Sequence, residues 1–159
     1  MSVEPEVLNL IEKCKEGDRR AQFDLYGRYS GLLFAVALRY TNTKIDAEDV
    51  VQNAWVKIFN HLDSFSENNS FEGWMRRIVV NTAISLYRKD KKHANQADIS
   101  EVLATPRDIE ASKECDFTRE ELESAISRMP EGYGLVFKLY VIDGYKHKEI
   151  SKILDIEVN

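Results

Sequence analysis

The sequence predicts an all-α protein of two small helical domains joined by an acidic linker. Three observations carry this. Glycine and proline are scarce, at 7 and 3 of 159 residues, whereas all-β architectures need many turn residues. Apolar residues recur at helical spacing from Ala47 to Leu62 and again from Phe71 to Leu86. Between about 94 and 117 the periodicity fades into a stretch with Pro106 and many acidic groups, longer than the connections inside compact domains. The expected domains are therefore 1–93 and 118–159, with 94–117 as linker. Apolar residues make up 43% of the chain, enough for a core and too many for a disordered protein.

Each element follows in order. A first helix is expected over Glu4–Lys15, stopped by Gly17 at a C-cap-like position. Asp18 then has the character of an N-cap for a longer pattern through Phe23, Tyr26, Tyr29, Leu33, Val36, Ala37 and Tyr40, weakened or broken at Gly27 and Gly31. Thr41–Ile45 reads as a turn. Asp46 is placed as the next N-cap, since its carboxylate can accept from free first-turn N–H groups. The clearest helix follows, with Ala47, Val50, Val51, Ala54, Trp55, Ile58, Phe59 and Leu62 forming an unbroken stripe. After the loop Ser64–Ser70, Ser70 can cap a helix of about 71–89 with Phe71, Trp74, Met75, Ile78, Val79 and Leu86 inward. Thr118 and Glu121 give a capping box for a helix to Met129. Pro130 ends it and opens another, to about Asp143. Gly144 turns the chain into a short helix of about His147–Leu154.

Several function classes are excluded. No apolar run approaches the ~20 residues that span a bilayer, and the acidic N-terminus is unlike a signal peptide. Cys14 and Cys115 stand alone, without metal-type or disulfide spacing, so a reducing cytoplasm is expected. His61, His93 and His147 are scattered. There is no phosphate-binding loop, no G-x-S-x-G and no H-E-x-x-H. No catalytic residue, metal, cofactor or small-molecule substrate is expected.

The net charge of −5 argues, taken alone, against a nucleic-acid binder. Its distribution argues otherwise. Residues 71–93 carry 6 basic and 2 acidic groups, net +4, whereas residues 94–127 carry 3 basic and 9 acidic, net −6. Local charge within a Debye length of ~8–10 Å is what a phosphate backbone feels.

Three constellations are candidates for function. Asp49, Gln52 and Asn53 share one polar helix face, which is either a solvated surface or a docking surface for a protein. Arg77, Asn81 and Arg88 fall within about 40° of one another on the next helix, with Trp74 beside them and Lys89, Lys91 and Lys92 following. Asn offers a donor and an acceptor to a base edge, Arg pairs with phosphate or stacks, and aromatics suit unstacked bases. The alternative is a core Trp beside a basic helix end that suits the helix dipole. The third is the pair of C-terminal helices around Gly144, with Glu149, Ile150, Leu154 and Ile156, which is like the first half of a helix-turn-helix or a plain helical hairpin.

At these residues a family resemblance emerges. DAEDVVQNAWVKIFNHLDSF, 46–65, resembles regions 2.2–2.3 of bacterial sigma factors of the extracytoplasmic-function (ECF) class. FEGWMRRIVVNTAISLYRKDKK, 71–92, is similar to region 2.4, and MPEGYGLVFKLYVIDGYKHKEISKIL, 129–154, resembles the start of region 4. The resemblance implies a transcription initiation factor, not an enzyme, that binds core RNA polymerase and recognises and melts the promoter minus-ten element. It implies that Asp49, Gln52 and Asn53, where the family usually has Glu at the last, meet the clamp helices of the polymerase. It implies that Ser64, Phe65, Arg77 and Asn81 hold a base flipped from the single-stranded non-template strand. It implies that Trp74 and Arg76 lie near melted DNA, with Arg88 and Lys89 in the same DNA-binding set. Ser85 stands where the family often has Asp, which bears on base preference.

Family members continue through a recognition helix that reads the minus-thirty-five element in the major groove; here only Glu157, Val158 and Asn159 follow. The resemblance thus implies a partial region 4 that does not read that element alone, with marginally stable helices. The acidic linker is expected near the RNA exit path. An anti-sigma protein is a further partner that the class implies. The rival readings are a helix-turn-helix regulator acting without polymerase and a helical protein–protein adaptor.

Overall fold

The computed structural model describes residues 3–94 and 118–156. The chain divides into two compact units, 1–94 and 95–159. The stretch expected as linker lies outside the described residues apart from Ala94, as do Glu157, Val158 and Asn159. Among the described residues the secondary structure is helical, and no helix is long and apolar enough to cross a membrane.

The first unit has four helices, α1 Pro5–Lys15, α2 Arg19–Leu38, α3 Lys44–Asn60 and α4 Phe71–Ala94, with a 3-10 turn at Leu62–Ser64. α1 packs on α2, and α2, α3 and α4 pack on one another. Pro5 opens α1, where its missing N–H costs nothing. Gly17 ends it in the left-handed region at φ 84°. The Asp18 carboxylate accepts from Arg20 N at 2.8 Å and Ala21 N at 3.2 Å, which fixes the start of α2. Arg28 of α2 donates to Glu4 at 2.6 Å and to Glu6 at 3.4 Å across to the α1 end. These bonds are exposed, so they orient α1 more than they stabilise it.

Three local expectations need correction. α2 runs straight through Gly27 and Gly31; a helix can carry single glycines at a cost of about 1 kcal/mol each when packing supplies the rest. α3 begins at Lys44, because Thr43, extended at φ −128° and ψ 158°, is the cap and accepts from Asp46 N at 3.1 Å. Asp46 sits one turn in, and its carboxylate accepts from the Thr43 hydroxyl at 2.7 Å. The buried stripe of α4 is also rotated. Phe71, Met75, Val79, Val80, Ala83 and Ile84 are buried, whereas Trp74, Ile78 and Leu86 are half-buried. α4 lies against both α2 and α3, so its inward surface is wider than one stripe. The helix after Pro130 reaches Ile142 as expected, α-helical to Phe137 and π-helical from Lys138.

The core is continuous through this unit: Ile11, Leu25, Leu33, Val50, Ile58, Leu62, Met75, Val79 and Val80 are all essentially without solvent contact. Cys14 belongs to it. Burial pushes its thiol up from the ordinary value to about 11, and Asp18 and then Asp24 add to the rise. It is a packing residue, since the thiolate is the reactive form.

The second unit has α5 Arg119–Ser127, α6 Glu131–Phe137, a π-helical turn Lys138–Ile142 and α7 His147–Leu154. The capping box at Thr118 is formed, with Glu121 N donating to Thr118 at 3.3 Å and Thr118 N to Glu121 at 2.9 Å. Gly144 turns at φ 69°, and Tyr145 N donates to Leu139 O at 2.9 Å. Leu139, Tyr145 and Ile150 form its small core, while Leu122, Met129, Tyr140, Val141 and Ile142 are exposed.

Two outcomes are expected. A Cβ at Gly27 or Gly31 meets nothing within 4 Å, so Gly27→Ala and Gly31→Ala should each raise the stability of the first unit by about 0.5–1 kcal/mol in chemical denaturation. Cys14 carries a raised folded-state value, so its contribution is intact below pH 9.0 and is lost as the pH climbs towards about 11. Unfolding titrations should show that loss, and Cys14→Ala should diminish it, leaving the part due to the raised Tyr29 phenol.

Candidate nucleic-acid and polymerase interfaces

α3 buries Ala47, Val50, Val51, Ala54, Trp55 and Ile58, which turns Asp49, Gln52 and Asn53 outward, all exposed. The Asn53 amide donates to Asp49 O at 2.9 Å, so part of its polarity is spent on its own helix. Two residues that sequence reasoning missed complete this face. Ile45 and Val56 are 71% and 60% exposed, and at 100° per residue both lie within about 40° of Asp49. The signal was available: both are apolar and off the buried stripe. The face therefore carries a polar centre between two exposed apolar side chains, a composition suited to protein docking.

The second surface is α4 with the turn before it. Ser70 caps α4, accepting from Gly73 N at 3.2 Å. Asn81 and Arg77 are exposed, and Arg88 and Trp74 are half-buried. These four share one side of the helix, with Trp74 about 60° from Arg77. Arg76 is not brought there. It lies about 100° round the helix, half-buried, with Glu72 at 3.8 Å and its Nε buried without a hydrogen-bond partner. Lys89 is exposed but about 120° from Arg77. Ser85 donates to Asn81 O at 2.8 Å.

An aromatic cluster closes the N-terminal end of this surface. The Phe65 ring meets Phe71 edge-on at 5.0 Å and Trp74 at 5.6 Å. Phe71 and Trp74 stack at 5.8 Å with 19° between planes. Tyr29 of α2 meets Phe71 edge-on at 5.7 Å. Burial raises the Tyr29 phenol above its ordinary value despite the neighbouring Arg28, so it stays neutral. Phe65 is only 7% exposed. Its ring thus supports the wall from behind, while half-exposed Trp74 offers aromatic surface. Ser64 is exposed, and its hydroxyl donates to His61 O at 2.7 Å.

The two helices are joined by a polar bond as well as by packing. Lys57 Nζ of α3 donates to the Thr82 hydroxyl of α4 at 3.1 Å, and that hydroxyl donates to Ile78 O at 2.7 Å. Thr82 is the one buried polar side chain among the described residues, and both of its bonding roles are filled. No group of three or more His, Cys, Asp or Glu suited to a metal occurs among the described residues.

Comparisons with known proteins match two stretches of the chain. Residues 25–93 match Sigma-70 region 2, and residues 119–159 match Sigma-70, region 4. The chain is 28% identical to the ECF RNA polymerase sigma-E factor of Escherichia coli (strain K12), over 94% of this chain and 83% of that protein. It is 29% identical to the ECF RNA polymerase sigma factor SigW of Bacillus subtilis (strain 168), over 93% and 84%. Among solved structures, an engineered region 2 of sigmaE in complex with GTAAAA is 32% identical, covers 58% of this chain and 99% of its own, and superposes with a TM-score of 0.52. CnrH, solved in complex with the cytosolic domain of CnrY, shares the fold at a TM-score of 0.50 and 22% identity, over 93% of this chain and 82% of its own. The chain belongs to the sigma-70 family, as an RNA polymerase sigma factor of the ECF class.

Proposed function

We propose that this sigma factor docks on the clamp helices of core RNA polymerase through Asp49, Gln52 and Asn53, with Ile45 and Val56 at the margins of the contact. It then opens the promoter by capturing a minus-ten base from the non-template strand on the α4 surface. Ser64, Trp74, Arg77 and Asn81 meet that strand, Phe65 supports them, and Arg88, Lys89 and Arg76 supply positive charge along its path. The action is binding alone, and it places the protein with the polymerase in the cytoplasm. The domain roles follow: 1–93 docks and melts, and 118–159 is the region 4 unit.

One observation carries this reading. An aromatic wall stands beside exposed Asn81 and Arg77 on one side of one helix. An extruded base needs a surface for its π-face, a donor–acceptor group for its edge and a cation for its phosphate. Trp74, Asn81 and Arg77 are those three groups. Stacking of ~1–3 kcal/mol per base is of the size needed to offset extrusion, which costs a few kcal/mol. That a region 2 relative with 32% identity was solved with GTAAAA supports the same use of the surface.

The experiment is co-purification with core polymerase followed by run-off transcription from a promoter library. Arg77→Ala and Asn81→Ala should retain core binding and lose run-off product by about tenfold, the effect of ~1.4 kcal/mol. Asp49→Ala combined with Gln52→Ala should lose core binding first. Specific duplex binding by the chain without polymerase would instead favour a helix-turn-helix regulator, and unchanged run-off in Arg77→Ala and Asn81→Ala would favour an adaptor.

A further inference from the structure

We propose that Tyr29, on a helix that carries none of the DNA-facing residues, is a positioning residue for the base-capturing loop. It acts through Phe71 and Phe65. The inference rests on the sigma-factor reading and deepens it.

The loop from Phe65 to Ser70 has little else to hold it. Of its six residues only Phe65 is buried. Its hydrogen bonds are local: Phe65 N to Leu62 O at 3.1 Å, Asn69 N to Ser66 O at 2.9 Å, and the Ser70 cap on α4. Beyond the turn Leu62–Ser64, which packs on α1 and α3, the loop is tied to the bundle by the Phe65 ring, seated on Phe71 and Trp74. Where Phe71 sits decides where Phe65 sits, and Ser64 is the adjacent residue. Phe71 is 3% exposed and also meets Tyr29 in edge-to-face geometry, with Tyr29 itself 8% exposed. Aromatic pairs have preferred edge-to-face geometry that an aliphatic side chain does not reproduce. Tyr29 is in turn held by its place in the unbroken helix α2 and by Arg28, whose guanidinium lies 6.0 Å from its ring centre while bonded to Glu4 and Glu6. The loop is therefore referenced to the α1–α2 pair as well as to α3, on which the turn Leu62–Ser64 packs.

A test with assembled holoenzyme separates positioning from general stability. The probe is a labelled forked template whose single-stranded hexamer was selected from a randomised pool by wild-type holoenzyme. Tyr29→Leu should keep core affinity within about twofold and weaken hexamer capture by about tenfold, ~1.4 kcal/mol. Tyr29→Phe should restore capture, because it keeps the ring edge. Phe65→Leu should show the same loss, and the Tyr29→Leu, Phe65→Leu double variant no further loss, since both act through one contact chain. In a Trp55→Phe background Trp74 is the sole tryptophan of the two, and its emission should shift in Tyr29→Leu and not in Tyr29→Phe. Unchanged capture in Tyr29→Leu, additive losses in the double variant, or a parallel fall in core affinity would each overturn the positioning role while leaving the sigma reading intact. Failure of wild-type holoenzyme to select any hexamer would overturn the sigma reading, and this proposal with it.

Discussion

The packing of α2 against α3 and α4 is the constraint on which the rest of the first unit depends. Each of these helices spends one side on the shared core, and only the opposite side is left for partners. Burial of Ala54, Ile58, Met75, Val79 and Val80 thus does two things at once. It stabilises the bundle in proportion to the apolar area removed from water, and it sets the angles at which Asp49 and Asn81 face outward. The Lys57–Thr82 bond adds direction to a contact that the hydrophobic effect alone leaves without it.

Two surfaces of different chemistry result. The α3 face is polar with apolar margins and follows the pattern of a protein contact. The α4 face combines an aromatic wall with basic and amide groups and follows the pattern of a single-strand platform. A chain with net charge −5 can carry the second surface because its basic groups are concentrated at 71–93. A factor that takes much of its grip on the promoter from a partner needs only a locally positive field.

Much of the fold was legible because it depends on local chemistry. The α3 stripe, the Asp18 cap, the Gly17 stop and the Thr118 capping box each involve residues within a few positions of each other. Errors arose where two local signals competed or where a distant partner decided. Thr43 and Asp46 are both competent caps, and the extended backbone of Thr43 settled the matter. The α4 stripe was misplaced because that helix faces two neighbours, which no single period reveals. The site was legible in part. The Arg77–Asn81 side follows from helical spacing, whereas the Tyr29–Phe71 contact spans 42 residues and has no local signature. Ile45 and Val56 were missed because apolar residues are assigned inward by default, although the informative case is the one left outside.

Phe65 shows how placement changes a role. Sequence likeness sets it among DNA-contacting residues, but its ring lies within the aromatic cluster. Loop residues commonly carry function while the scaffold beneath them fixes geometry, and here one ring links the two.

The central claim is that the α4 surface unstacks a promoter base only when the α3 face is seated on core polymerase. The most direct measurement is the fluorescence of 2-aminopurine placed in the minus-ten non-template strand of a duplex promoter. The account predicts a rise in emission when chain and core polymerase are both present, and none with either alone. A rise with the chain alone, or no rise with both, would contradict it.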